Sequence, residues 1–318
     1  MNFERGVVMK SGQSNDIAEA SFEKRKSPLG GSQFVLPLMF VALYGSGFVG
    51  AKYGLPYSPP LTFLVLRFGL AAALIAVLAM IFRARWPKSI LDVLHIATAG
   101  ALTVGIFSAG VFVSISVGLS PAISALIIAL QPILVAVFAS SLLGESLMRR
   151  QWIGLAMGLI GVGFVVWHKI DFGTFQLFGV GMSVVGLLGV TFGNIYQKRF
   201  CANMALFPGG AIQSATSAMI LVPFAMCFER MEVIWDAKFV IALSYMTIGV
   251  SIGALSLLYM MIRRGDVSKV ASVFYLVPVS AAITSYILYG ETFDTPVIVG
   301  VLVVAVGVYL VNSQKKLV

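Results

Sequence analysis

The amino-acid sequence predicts an all-α membrane protein whose ten transmembrane helices form two inverted five-helix repeats. Apolar residues make up 59% of the 318-residue chain and charged residues 11%, against roughly a quarter charged in an ordinary soluble domain. The apolar residues fall in long uninterrupted runs, and the second half of the chain repeats the first. So little polar surface cannot enclose a water-soluble core, and the composition also excludes a disordered or fibrous protein.

The apolar runs have the length of membrane-spanning helices, since about 20 helical residues cross ~30 Å of hydrocarbon. They lack the alternation of apolar and polar residues that is typical of a membrane β-barrel, and a helix satisfies its backbone hydrogen bonds within the segment. The predicted spans are residues 34–55, 61–82, 94–118, 121–143, 152–168, 177–197, 209–228, 238–262, 269–289 and 295–312.

The positions of Lys and Arg predict the orientation, because short loops rich in these residues stay in the cytoplasm. With the amino terminus inside, all but five of the 22 Lys and Arg residues are cytoplasmic. The exceptions are Lys52, Lys169, Arg230, Lys238 and the intramembrane Arg67. Residues 1–33 contain no signal-peptide core and are predicted to form a flexible cytoplasmic tail. The basic excess is therefore a topology signal, and nucleic acid is not an expected partner.

A shift of 146 residues aligns the two halves of the chain. It superposes Pro132 on Pro278, Gly144 on Gly290, Glu145 on Glu291, Gly154 on Gly300 and Gly161 on Gly307. The repeats are predicted to cover residues 34–168 and 177–313. Because each contains an odd number of spans, the second must be inverted in the membrane, as in many secondary transporters.

The repeated block from Ser120 to Val165 resembles the EamA-type transporters of the drug/metabolite transporter superfamily. It has a Pro within the span, a Gly-Glu pair at its end and a Gly-rich following helix, and Leu66-Arg67-Phe68 also fits the family. The resemblance implies a multi-pass carrier with both termini in the cytoplasm, moving small organic molecules outward across a bacterial inner membrane. Family substrates include amino acids, drugs, nucleobases and other metabolites, so the resemblance does not name a ligand.

Several residues within the spans have a predicted structural or mechanical role. Pro132 and Pro278 are each predicted to be a hinge between two states of the carrier or a static kink. Glycines in the first and sixth spans are expected to allow close helix packing. Glu145 and Glu291, at span ends, are interpreted as structural carboxylates rather than proton carriers.

Polar groups within apolar runs are the candidate substrate-binding residues. Arg67 is the single charge inside a span and has two interpretations, a structural cation that snorkels to the outer surface or a receptor for a substrate carboxylate. The others are expected to line a shared cavity near the midplane, although each could instead bridge helices by hydrogen bonds. They are Tyr44, Gln131, Asn194, Tyr196, Gln213, Tyr245 and Tyr275.

The leading functional hypothesis is an exporter of small metabolites, amino acids or related compounds above all, that works by alternating access. Multidrug or nucleobase efflux, or a membrane sensor or scaffold without transport, are the alternatives. No catalytic constellation, metal-ligand spacing or nucleotide-binding loop is present, so neither an enzyme nor a cofactor is expected. No Asp or Glu lies in the middle of a span, which argues against coupling through a buried acid. The expected partners are a small-molecule substrate and the lipid bilayer, and the chain is expected to be a monomer or homodimer.

Overall fold

The computed structural model describes residues 32–143, 149–169, 174–254, 256–257, 260–261, 276–292 and 294–312. Chain contacts separate Met1–Leu36 from Pro37–Val318. The described part of the first unit is the start of the first helix. Every contact discussed below lies within the second unit.

Across these ranges the regular structure is helical, as the sequence predicts. The helices are α1 (Ser32–Gly54), α2 (Pro60–Ile81), α3 (Ile90–Ser116), α4 in two parts (Pro121–Ile128 and Gln131–Leu143), α5 (Arg149–Lys169), α6 (Thr174–Phe200), α7 (Leu206–Phe228), α8 (Ala237–Ala254), α9 (Val277–Tyr289) and α10 (Thr295–Asn312). Among the described residues, six helices (α1, α2, α3, α6, α7 and α8) are long and apolar enough to cross a membrane, while α4, α5, α9 and α10 contain shorter apolar stretches. The chain is therefore a multi-pass membrane protein.

Helices at equivalent positions in the two halves of the chain, related by the 146-residue shift, pack along each other. The most extensive helix contacts within the described chain join α2 to α7 and α5 to α10. In the second pair the close approach depends on small residues, since a Cβ added at Gly161 would lie 2.9 Å from the Gly300 carbonyl and one at Gly307 would lie 2.6 Å from the Gly154 carbonyl. Small residues at such contacts allow the backbones to meet where no hydrophobic drive joins helices in lipid.

Gly47 of α1 and Gly193 of α6, which the repeat shift relates, pack against α8 and α3 respectively. A Cβ at Gly47 would meet Val250 on α8 at 3.3 Å, and a Cβ at Gly193 would meet Thr103 on α3 at 2.5 Å. Most of the predicted small-residue positions are therefore used for helix packing. Gly181 is an exception, because nothing lies within 4 Å of a Cβ built there.

Both α3 and α8 contain a π-helical segment, at Ala101–Ile106 and Tyr245–Ala254 respectively. The repeat shift places 101–106 on 247–252, so the segments occupy equivalent positions. A π-helical segment widens the helix and is frequent at functional sites. Both segments contribute residues to the cavity described below.

Helix α4 is broken next to Pro132. Its first part ends at Ile128 and its second begins at Gln131, with the Leu130 amide bonded to the Ile127 carbonyl at 3.1 Å. Proline has no N–H for the carbonyl one turn earlier, which accounts for the break. Pro278 lies in the first turn of α9, and residues 262–275 before it are outside the described part of the chain. A hinge function for either proline stays a prediction.

Candidate substrate cavity

A cavity of about 240 Å³ lies between α1, α2, α3, α4, α6, α7 and α8. Five of the eight predicted residues line it, namely Tyr44, Arg67, Gln131, Asn194 and Gln213. Its further polar lining consists of Thr103, Ser108, Gln197, Ser214 and Ser251, and its apolar lining includes Phe40, Phe68, Phe107, Val190 and Val250. An extension of about 60 Å³ shares Tyr44, Arg67 and Ser108 and reaches Phe112 and Met246.

Arg67 is the single charged residue among the described residues that line this cavity. Its side chain is 7% exposed, and its Nε donates to Ser251 Oγ at 3.1 Å. The guanidinium carbon lies 5.2 Å from the Phe68 ring centroid and 5.9 Å from that of Phe112, which favours a cation. Among the described residues, its two terminal nitrogens have no hydrogen-bond partner and no carboxylate forms an ion pair with it. Arg67 therefore retains donors for an anion that enters the cavity.

Gln213, the repeat equivalent of Arg67, is also 7% exposed and lines the same cavity. Its Nε2 donates to Gln197 Oε1 at 3.0 Å and lies 3.7 Å from Met204 Sδ. The backbone of α7 reaches this position because Gly100 on α3 has no side chain, and a Cβ there would lie 2.5 Å from the Gln213 Cα. The amide is thus held in one place.

A larger cleft of about 550 Å³ lies among the loops before α3 and α7. Its charged lining residues are Arg85, Asp92 and Arg199. Met204 lines this cleft and also contacts Gln213, which lines the cavity. The cleft is therefore placed next to the cavity, with Met204 and Gln213 between them.

Two of the remaining predicted residues, Tyr196 and Tyr245, are not among those that line the cavity. The Tyr196 hydroxyl is hydrogen-bonded to His95 Nδ1 at 2.8 Å, which joins α6 to α3. The Tyr245 hydroxyl is hydrogen-bonded to Ser46 Oγ and joins α8 to α1. Tyr275 is outside the described residues. The helix-bridging alternative accounts for the first two.

A polar cluster lies away from the cavity, at the far end of α1. Lys52 and Glu291 form an ion pair there. The other oxygen of Glu291 accepts from Ser120 Oγ and Ser285 Oγ, each at 2.8 Å, and the Lys52 ammonium lies 4.4 Å from the Tyr289 ring centroid. We call these five residues the latch. It ties α1, the start of α4 and the end of α9 together.

Burial alone would raise the pKa of Glu291, but hydrogen bonds from Lys52, Ser285 and Ser120 and the charge of Lys52 together lower it below its ordinary value of 4.5. A lowered pKa in the folded state means that the carboxylate contributes stability above pH 4.5 and loses that contribution as pH falls through the lower, folded-state pKa.

We expect Glu291→Gln to lower stability at pH 7 by about 1 to 2 kcal/mol, since one charged hydrogen-bonding partner is lost from a partly exposed site. The variant should also lose part of the decline in melting temperature that the wild type shows below pH 4.5. Thermal unfolding in detergent between pH 7 and pH 3.5 measures both. Glu232→Gln, at an exposed carboxylate, is the matched control. Equal curves for the two variants would contradict a stabilising latch.

The described chain is thus a bundle of apolar helices around a partly polar cavity. Residues 34–167 and 177–313 both match the EamA-like transporter family, and the chain belongs to this family.

Named relatives resemble the chain over nearly their whole length. The uncharacterized transporter YvbV of Bacillus subtilis is 26% identical, with 89% of this chain and 92% of that protein aligned. A probable amino-acid metabolite efflux pump of Salmonella typhimurium is 26% identical over 86% of this chain and 93% of its own. The uncharacterized inner membrane transporter YedA of Escherichia coli is 23% identical over 91% and 92%. A solved crystal structure with 17% identity covers 87% of this chain and 94% of its own at a TM-score of 0.63, so the two share a fold.

Proposed function

We propose that this protein exports small carboxylate-bearing metabolites, amino acids or related compounds, across the bacterial inner membrane by alternating access. The observation that carries the proposal is Arg67, a buried cation in the cavity whose terminal guanidinium nitrogens have no partner among the described residues. The name of the Salmonella typhimurium relative, an efflux pump for amino-acid metabolites, supports the same substrate class.

An Arg buried in the membrane without an anion is costly, by about 2.5 to 3.5 kcal/mol on insertion scales. A carboxylate entering the cavity supplies the missing charge and accepts two parallel hydrogen bonds from the guanidinium. The cleft beside the cavity carries Arg85 and Arg199 against one Asp92, a balance that attracts anions. Arg67 thus acts as the carboxylate receptor, and the amides and aromatic rings around it hold the rest of the substrate.

The carrier has ten spans in two inverted five-helix repeats. The shorter apolar stretches of α4, α5, α9 and α10, added to the six long helices, support this number. The packing of α2 on α7 and α5 on α10 supports the relation between repeats. The distribution of Lys and Arg supports cytoplasmic termini, and the name of the Escherichia coli relative supports the inner membrane.

In this topology the cleft beside Gln213 faces the cytoplasm and the latch faces outward. In this proposal the latch closes the outer end, and substrate enters from the cytoplasmic cleft past Met204 and Gln213, which lie between the cleft and the cavity. Export requires the latch to open and the two repeats to rock about the cavity, with Pro132 and Pro278 as hinges. Because the described lining residues include no acid, we propose that flux follows the substrate gradient without an obligatory proton.

The cavity volume favours small substrates over drugs. Pockets for drug-sized ligands span roughly 300 to 1,000 Å³, whereas the cavity holds about 240 Å³ and its extension about 60 Å³, a space at the lower end of that range.

Counterflow in proteoliposomes tests the proposal. Vesicles with purified protein are loaded with a mixture of unlabelled amino acids, and the uptake of labelled amino acids, uracil and ethidium is measured with and without a pH gradient. We expect saturable exchange of one or more amino acids that needs no pH gradient. Transport of ethidium or uracil without any amino acid would overturn the carboxylate assignment, and loss of all flux without a pH gradient would overturn proton independence.

A further inference from the structure

We propose that Gln213 is the second recognition element of the cavity, where its amide oxygen accepts a hydrogen bond from an N–H or O–H group of the substrate. This inference rests on the proposed function and deepens it. The substrate class becomes a monocarboxylate with a hydrogen-bond donor at its other end, and dicarboxylates are rejected.

The positions of Arg67 and Gln213 support a paired role. The residues are related by the 146-residue repeat shift, lie on the closely packed helices α2 and α7, are buried to the same extent and line one cavity. A symmetric site would place two cations there and suit a dicarboxylate. This chain instead has one cation, Arg67, and one neutral amide, Gln213, in the cavity.

The contacts of Gln213 determine which part of its amide is available. The amide nitrogen is directed toward two acceptors, Gln197 Oε1 at 3.0 Å and Met204 Sδ at 3.7 Å. A glutamine amide has two N–H donors and one carbonyl acceptor, so these contacts engage the donor side. Among the described residues, Oε1 of Gln213 has no hydrogen-bond partner. The held amide therefore presents an acceptor to the cavity.

An acceptor at this position discriminates between substrates of equal size. A substrate N–H or O–H group replaces its lost water by donating to Oε1, whereas a second carboxylate would lose its hydration and face a carbonyl oxygen. A site built to hydrogen-bond one group binds an analogue far more weakly when that analogue leaves the buried polar groups of the site unpaired. We therefore expect at least tenfold discrimination.

The test uses succinamate and succinate, which have the same size and differ in having one or two carboxylates. Their affinities for purified protein in detergent are measured from the ligand-induced rise in melting temperature. We expect the wild type to bind succinamate at least tenfold more tightly than succinate, and Gln213→Arg to bind succinate at least tenfold more tightly. Gln131→Arg, a cation at another amide of the cavity lining, is the matched control and should not reverse the preference to the same extent.

A second variant covers the case in which Gln213→Arg does not fold. Gln213→Leu keeps the side-chain size and should weaken succinamate at least tenfold while leaving butanoate, a monocarboxylate without a donor, unchanged. Equal losses for both probes would make Gln213 structural and overturn the inference, as would an unchanged succinamate-to-succinate ratio in Gln213→Arg.

Arg67→Ala in the same assay separates the two proposals. If it abolishes binding of all three probes while the Gln213 variants leave their ratios unchanged, the carboxylate receptor stands and the inference about Gln213 fails. If Arg67→Ala leaves the binding of the probes unchanged, or if the wild type binds no probe, the proposed function fails and the inference with it.

Discussion

Replacing Arg67 by Lys is expected to lower transport at least tenfold while the amount of folded protein stays unchanged. Lysine keeps the positive charge that the Phe68 ring favours, but it cannot form two parallel hydrogen bonds to a carboxylate. The loss of one charge-assisted hydrogen bond, about 1.5 to 3 kcal/mol, corresponds to roughly ten- to a hundredfold. Initial counterflow rates at several substrate concentrations measure the effect.

Arg230→Lys is the matched control, since Arg230 is exposed and is not among the residues that line the cavity. It should transport at the wild-type rate. If Arg67→Lys also transports at that rate while Arg67→Ala reduces the yield of folded protein, Arg67 is an architectural cation. The case for a carboxylate-bearing substrate would then be lost.

Gly110→Ala is expected to abolish the accumulation of folded protein, although it adds a single methyl group. At this crossing of α3 and α6 the added Cβ would lie 2.5 Å from the Met182 carbonyl oxygen and 2.6 Å from the Gly186 amide nitrogen. Both are backbone atoms, which cannot move aside as a flexible side chain can. Relieving the clash requires separating the helices, and these frame the cavity.

Gly181→Ala, on α6, provides the control. Nothing lies within 4 Å of a Cβ at Gly181, and Ala in a helix interior is favoured over Gly by about 1 kcal/mol. This variant should fold at least as well as the wild type. Size-exclusion profiles and melting temperatures in detergent compare the two, and similar behaviour of both variants would contradict the tight α3 to α6 crossing.

The positions of the long apolar helices and of five cavity residues could be predicted from the sequence because a polar side chain inside an apolar run stands out. The face on which each polar residue lies could not be predicted. Asn194 and Gln197 are three positions apart and share a face of α6, whereas Tyr196 points to another side and bonds with His95. Without knowing which faces meet, lining and bridging residues look alike.

The small hydroxyl residues that line the cavity and the π-helical segments could not be predicted from the sequence, for a different reason. Thr103 lines the cavity but donates to the Ala99 carbonyl at 2.7 Å, a local bond that lets threonine occur anywhere in a membrane helix. The π-helical segment Ala101–Ile106 has the sequence ALTVGI, which contains no signal that separates it from an ordinary helix.

Labelling of a single cavity cysteine tests the central claim, that one cavity is open to one side of the membrane at a time. Cys201 and Cys227 are first replaced by Ala, and Ser108→Cys is introduced, since Ser108 lines both parts of the cavity. A membrane-impermeant thiol reagent is applied to either face of oriented vesicles, with the latch intact or broken by Lys52→Met and Glu291→Gln.

We expect labelling from the cytoplasmic face when the latch is intact. Breaking the latch should increase labelling from the outer face and decrease it from the cytoplasmic face. Labelling that increased from the outer face with no decrease from the cytoplasmic face would indicate a channel and contradict alternating access.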